Sequence, residues 1–371
     1  MYRIGLVGFG AIAEHAHLPA LQSFPEIQVV AVADLSPARL ERARELLPHA
    51  QLFDSPFDLV QSADITGVDL CTPPSTHAAL IEAACSRGLQ LVICEKPFVL
   101  SDDEYERVRV ARAASGATVI SVNNWMHSHL NRRVREVLDS GEIGVLQRVE
   151  LQTARPDAAK GNAGWQPLWR TSREHAGGGI ILDHGWHQLY LLMAWMNAWP
   201  TSVACVARTA DPRHAPVEDE ATLDLSFPQM EGPADRHGRI ELSWTASDRR
   251  NSGSLQGTLG HIEIHDDRIV VHGPRGRQEL PFDDRLTVSS YHPDWFQSMI
   301  AGTILAPTNG ESRRNFEEAG VLVRTVCAAY RSAGAGGRPC SVTSGDGRAP
   351  GPSGKRAEPS DVRGGNTSVP A

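Results

Sequence analysis

The chain has 371 residues, with 36 Lys and Arg against 44 Asp and Glu and a formal net charge of -8. That length exceeds what one hydrophobic core usually fills, so two domains with a cleft between them are expected, and the acidic balance offers no general field for nucleic acid or an anionic membrane. Six cysteines without a C-x-x-C pair, no apolar run of membrane length and no basic leader with a cleavage site together predict a soluble, cytoplasmic protein.

From residue 1 to about residue 122, short β-branched apolar runs alternate with amphipathic segments of helical length. This is the pattern of βαβ units around a doubly wound parallel sheet, a Rossmann-type α/β domain. Strands are expected at 2–7, 28–33, 51–53, 67–70, 91–94 and 118–122, and helices near 11–23, 37–47, 77–87 and 102–115. A second domain is expected over 123–343. A helix runs there from 131 to 138 and stops at Ser140-Gly141; the segments 145–153, 201–210, 221–227, 239–244, 253–258, 261–265, 269–272 and 278–282 then alternate apolar with polar residues. Alternation predicts a large, mainly antiparallel sheet with one face covered, and helices at 181–195, 294–305 and 312–331 make the domain α+β. Over 344–371, 10 of 28 residues are Gly or Pro and only Val362 and Val369 are large and apolar, so a disordered tail is expected.

Gly8-Phe9-Gly10-Ala11-Ile12-Ala13 follows the first apolar strand and opens a helix, the context that a G-x-G-x-x-A dinucleotide fingerprint requires. Gly8 permits the tight turn, Gly10 lets the backbone approach a pyrophosphate, and Ala13 lets the helix pack close with its amides facing the phosphates. Asp34 ends the second strand 24 residues after Gly10, where a carboxylate accepts hydrogen bonds from ribose hydroxyls and repels a 2′-phosphate. NAD is therefore favoured over NADP, although Arg39 on the following helix leaves room for both.

Three further segments stand out: Thr72-Pro73-Pro74-Ser75-Thr76-His77, Glu95-Lys96-Pro97, and the run from Gly177 through Asp183 to His187. With the fingerprint, they resemble the Gfo/Idh/MocA family of oxidoreductases over roughly residues 1–343. The resemblance implies a Rossmann domain followed by an open-faced sheet domain that often mediates oligomerisation, hence a homodimer or homotetramer. It also implies nicotinamide chemistry on a hydroxyl of a sugar or cyclitol, and a Lys96-Pro97 bond that can be cis and would then aim Lys96 into the cleft.

The residues can be read beside that resemblance. Thr72, Glu95 and Lys96 fall at strand ends, where open α/β sheets bind ligands, and with Pro73 and His77 they are expected to line the cofactor crevice. Lys96 can stabilise charge on a reacting oxygen; its other reading is a surface lysine. Asp183 and His187, four apart, share one face of a regular helix, so Asp183 is expected to orient His187 and raise its pKa, making it the acid/base. The alternative is a buried structural histidine. The resemblance assigns the same roles to both residues. His184 and His187 are spaced for zinc, but no third and fourth ligand follow, and no metal is expected. The triple glycine at 177–179 lacks the Lys-Ser/Thr of a phosphate loop and reads as a close-packed turn.

Two departures mark the pocket wall. In Asn123-Asn124-Trp125-Met126-His127 the family's Arg-Phe pair is missing, although Asn124 matches, and Tyr190 stands where many relatives carry an aspartate. Asn124, His127, Trp165, Trp169, Arg170 and Tyr190 are the candidates for substrate contact, whereas Trp195 and Trp199 read as core. The expected activity is reversible hydride transfer between NAD and a secondary alcohol or ketone of a polyol. Alternatives are an NAD-retaining enzyme whose net reaction is hydrolysis, elimination or epimerisation, and a non-catalytic NAD-binding regulator.

Overall fold

The computed structural model describes residues 1–162, 165–229, 236–282, 285–288, 291–305 and 310–342, and the expected tail lies outside them. Strands β1 (Tyr2–Val7), β2 (Ile27–Ala33), β3 (Gln51–Phe53), β4 (Gly67–Leu70), β5 (Leu91–Cys94) and β6 (Thr118–Ser121) form a parallel sheet in the order β3-β2-β1-β4-β5-β6. β4 and β5 are buried along their whole length, because crossover helices cover both faces of such a sheet. Those helices are α1 (Leu18–Gln22), α2 (Pro37–Leu46), α3 (Pro56–Ser62), α4 (His77–Arg87) and α5 (Asp102–Ser115). α3 was not expected. Its seven residues are too few to display a helical period, and its signals are local: the Ser55 side chain accepts the Asp58 N–H and Pro56 occupies the first turn. The helix expected at 11–23 is wound in two ways, π-helical over Ala13–His17 and then α-helical in α1.

The second sheet contains β7 (Leu146–Ala154), β8 (Ser202–Arg208), β9 (Glu220–Phe227), β10 (Arg236–Ser243), β11 (Arg250–Gly257), β12 (His261–Ile264), β13 (Arg268–Gly273), β14 (Gly276–Pro281) and β15 (Cys340–Ser341). Their order is β14-β13-β12-β11-β7-β10-β9-β8-β15. Every pairing is antiparallel except β7 with β10, which is parallel. The chain between them includes α7 (Arg173–Ala176) and α8 (Trp186–Met196), the long crossover that parallel neighbours need. α6 (His129–Asp139) precedes this sheet, capped by the Ser128 side chain. α8 is apolar nearly all round and packs Leu192 onto β10 at Gly238, where a Cβ would come within 2.5 Å of that side chain.

The last two helices, α9 (Pro293–Ile300) and α10 (Glu311–Gly334), return to the first sheet. Asn315 of α10 brackets Ser121 of the edge strand β6, accepting its N–H at 2.8 Å and donating to its carbonyl at 2.9 Å. This covers an edge that would otherwise be open to pairing. Farther along α10, Ser332 Oγ accepts the Cys205 N–H of β8 at 2.8 Å. One helix thus ties both sheets together, and the largest buried cluster runs through both. Among the described residues no helix is long and apolar enough to cross a membrane.

Candidate active site

Gly8 sits at the carboxyl end of β1 with φ +86°, and a Cβ there would lie 2.8 Å from the Cys71 carbonyl and 3.0 Å from Thr72 Cγ2. Only glycine fits this contact between the ends of β1 and β4, the point where the strand order reverses. Helical backbone begins at Ala11, so the first N–H groups of that helix have no carbonyl one turn earlier and form an anion-binding end. Ala13 is fully buried against Leu6, Leu18 and Val32, and Ile12 and Ala11 are half-buried. Beside Gly10 the nearest atom to a hypothetical Cβ is Asn162 Nδ2 at 3.7 Å, so the loop leaving β7 lies over the fingerprint.

Asp34 is fixed at the end of β2. Its Oδ2 accepts the Phe9 N–H at 2.7 Å and its Oδ1 the Ser36 N–H at 2.8 Å. Burial raises its pKa, while those two N–H groups and Arg39 draw it down. Arg39 donates from Nε to the Phe9 carbonyl at 2.6 Å and pairs with Glu14 at 2.5 Å, so its charge is already engaged. A glycine turn that a side chain would fill, an open helix end and a carboxylate fixed beside it fit an adenine dinucleotide without a 2′-phosphate.

Thr72 and Pro73 follow β4 and are half-buried, with the Thr72 hydroxyl 2.7 Å from that of Thr76. Two residues expected in the crevice face elsewhere. His77 is fully buried, its Nε2 2.8 Å from the Thr72 carbonyl and its Nδ1 3.1 Å from the carbonyls of Pro97 and Phe98. It begins a helix under the crevice and braces the two motif loops against each other. Glu95 turns inward: Oε1 meets His17 Nε2 at 2.9 Å and Oε2 accepts the Lys96 N–H at 3.0 Å. His17 Nδ1 in turn lies 2.8 Å from Asp69 Oδ2, completing a buried carboxylate–imidazole–carboxylate row.

Lys96, in a cis Lys96-Pro97 unit, donates from Nζ at 2.9 Å to both the carbonyl and Oδ1 of Asp183. Arg170 Nε is 3.8 Å from the same Oδ1, with its guanidinium over the Trp169 ring. Burial would raise the Asp183 carboxyl, but Lys96, then His184 and Arg170, overcome it and hold the carboxyl well below the usual range. The expectation that Asp183 orients His187 is corrected. Residues Ile181–Gly185 are π-helical, and Asp183 is engaged by Lys96 while the Nδ1 of His187 is taken by Tyr190.

His187 Nδ1 is paired with the Tyr190 hydroxyl at 2.7 Å, and that hydroxyl accepts the Trp125 N–H at 3.1 Å. Among the described residues no carboxylate is hydrogen-bonded to the ring, and although Asp183 pulls its pKa upward from a distance, the net shift is not the expected rise. Burial, reinforced by the Lys96 cation, holds it well below 6.5. Trp125 lies beside the His187 ring at 5.5 Å between centroids, and Asn124 and His127 flank it in the same 3₁₀ turn. His184 accepts from Trp244 Nε1 at its Nδ1 (3.2 Å), and burial lowers its pKa to about 3. It is a neutral neighbour of Asp183. Trp165 packs edge-on against His175, and Trp169 packs on Gly161.

The triple glycine is a packing device. A Cβ on Gly179 would lie 1.9 Å from the Glu218 carbonyl and one on Gly178 would lie 2.0 Å from the Tyr330 hydroxyl. Glu218 also accepts the N–H groups of Gly179 at 2.9 Å and Ile181 at 3.1 Å, holding the start of the active helix. Glu218 was not expected from the sequence, nor was Arg155. The latter is buried at the end of β7, donates to the carbonyls of Ala154 and Arg250 and to Asn251 Oδ1, and is lowered to about 10 by burial and Arg249. Both reach the site from distant sequence, so no local spacing marks them.

Residues 2–124 match the profile described as oxidoreductase family, NAD-binding Rossmann fold, and residues 131–279 match the GFO/IDH/MocA C-terminal domain. The chain is 29% identical over 279 residues to an inositol 2-dehydrogenase of Rhizobium meliloti, covering 74% of each chain. It is 24% identical to a dTDP-3,4-didehydro-2,6-dideoxy-alpha-D-glucose 3-reductase of Streptomyces antibioticus, over 84% of this chain and 90% of the relative. An oxidoreductase from Agrobacterium radiobacter, solved with NAD+, L-tartaric acid and magnesium, superposes with a TM-score of 0.75 at 19% identity, over 92% of this chain and 98% of that one. With both domain profiles matched in order along one chain, the protein belongs to the Gfo/Idh/MocA family of NAD-binding oxidoreductases.

Proposed function

We propose that the chain transfers a hydride reversibly between NAD and a secondary hydroxyl or ketone of a sugar, cyclitol or related polyol. The observation that carries this reading is the Lys96 ammonium held by two oxygens of Asp183 beside a neutral His187. The names of the relatives, an inositol dehydrogenase and a dTDP-sugar reductase, support the substrate class.

Gly8, Gly10, the helix opening at Ala11 and Asp34 would hold the dinucleotide, which when bound supplies the hydride acceptor. Lys96 has three N–H donors and spends two on Asp183, leaving one for the substrate oxygen, where its charge stabilises the negative charge that builds up during oxidation. Asp183 anchors the cation and balances it. His187 receives the hydroxyl proton at Nε2 when its own proton sits on Nδ1 and is donated to Tyr190. The phenol can instead donate to Nδ1, so Tyr190 accommodates either tautomer, as a carboxylate could not. Its low pKa makes His187 a weak base, so stabilisation of the substrate oxygen by Lys96 carries the larger share.

Growth of NADH absorbance with members of a panel of cyclitols, aldoses, aminosugars and nucleotide sugars tests the proposal; tight NAD binding with no redox signal on any of them contradicts it. The loop carrying Asn162 over Gly10 favours one second reading, in which NAD is retained and the substrate is oxidised and re-reduced within one turnover. Cofactor that co-purifies, with turnover and no net NADH, selects that reading.

A further inference from the structure

We propose that the outer face of β12 and β13 carries a divalent transition-metal site formed by His261, Glu263, His265 and His272, separate from the redox centre. The register builds it. His261 pairs directly with His272 across the two antiparallel strands, and Glu263 is two residues along β12. In a strand, alternate residues share a face, so His261, Glu263 and His265 line one side, while Ile262 and Ile264 are buried on the other. The buried row continues from Ile262 through Leu255 and Val149 to Gly238, the residue that receives Leu192 of α8. The histidines are therefore on the face turned away from α8.

Three imidazoles converge on one carboxylate. The Nε2 atoms of His261 and His272 are 3.7 and 3.4 Å from Glu263 Oε1, and that of His265 is 3.4 Å from Oε2. The His261 and His272 rings are stacked, 4.4 Å between centroids and 9° between planes, so both present the same edge to Glu263. Buried His272 Nε2 has no hydrogen-bond partner among the described residues, despite its nearness to the carboxylate. The donor atoms of His261, Glu263 and His272 already lie within 4.8 Å of one another. Tetrahedral ligands about 2.0–2.1 Å from Zn²⁺ are about 3.3–3.4 Å apart, so small rotations of these half-buried side chains close the remaining gap. Three nitrogens and one carboxylate oxygen suit Zn²⁺, Ni²⁺ or Cu²⁺ and are poor ligands for Mg²⁺ or Ca²⁺. A bound ion would clamp the hairpin of β12 and β13.

The test uses the full chain and Zn²⁺ alone. After dialysis against a chelating resin, the wild-type chain should retain one equivalent of Zn²⁺, and Co²⁺ in its place should give the strong visible absorption of a tetrahedral centre. Replacing His261 or His272 by Gln preserves volume and polarity at a surface position. Each should weaken Zn²⁺ binding at least about 10–100-fold, the loss seen when even an outer partner of a metal ligand is removed. A wild-type chain that retains no Zn²⁺, or affinity unchanged in both variants, overturns the proposal.

Discussion

Lys96 Nζ donates at 2.9 Å to both the backbone carbonyl and Oδ1 of Asp183, so one cation from the first sheet is held by two oxygens of the helix that opens the second half of the site. Substituting Lys96→Met keeps the unbranched stem and removes the charge. We expect kcat to fall by about 10²–10³, the cost of removing one donor to a developing oxyanion, with NAD affinity nearly unchanged because the fingerprint and Asp34 are untouched. Steady-state NADH formation and a fluorescence titration of NAD measure the two effects separately. Equal losses in both would place Lys96 in cofactor binding instead.

Tyr190 is the partner that Asp183 was expected to be. In Tyr190→Phe, His187 Nδ1 and the Trp125 N–H both lose their partner. Leaving a buried polar group unsatisfied costs about 1–3 kcal/mol, so thermal stability should drop and kcat should fall more than KM rises. The pH profile is the sharper readout. With His187 held well below 6.5, the wild-type kcat/KM should show no acidic limb near the usual histidine value. Tyr190→Asp would place a carboxylate beside the ring and should bring such a limb up toward neutral pH.

What could be read in advance was what neighbours in sequence decide. The turn at Gly8 and the carboxylate at Asp34 are each fixed by the end of one strand, and the alternation of the second sheet follows from its two unlike faces. Partnerships between distant segments left no such trace. The spacing of Asp183 and His187 could not show that Lys96, 87 residues away, would claim the Asp183 carboxylate. Glu218, which pins the glycine run, and His17, which holds Glu95, act across 37 to 39 and 78 residues of chain. His77 misled because its motif position is right while its side chain is buried beneath the crevice it was expected to line.

Cofactor choice rests on Asp34, whose two oxygens accept from Phe9 and Ser36. Asp34→Ser retains a small polar group but removes the charge that repels a 2′-phosphate. A hydrogen bond to a charged group is worth about 1.5–3 kcal/mol, so the KM for NAD should rise roughly 10–100-fold. The preference for NAD over NADP should narrow while kcat at saturating NAD changes little. Comparing kcat/KM for the two cofactors checks this; an unchanged ratio would mean that Asp34 does not face the ribose.

The buried row Asp69–His17–Glu95 makes a prediction about stability rather than turnover. Burial opposes a charge on His17, but the Asp69 carboxylate at 2.8 Å prevails and raises its pKa well above 6.5. The Cys71 thiol is pushed up to about 12 by burial and stays protonated. A group whose folded pKa lies above its unfolded value contributes stability that is complete below the unfolded pKa and is lost as pH rises through the folded one. His17→Asn should therefore destabilise the chain most at about pH 6, by roughly 3–5 kcal/mol if it resembles other broken buried pairs. The difference from wild type should shrink as the solution becomes alkaline. Urea unfolding of both proteins across that range measures it, and a difference that grows with pH would show that His17 is neutral in the folded chain.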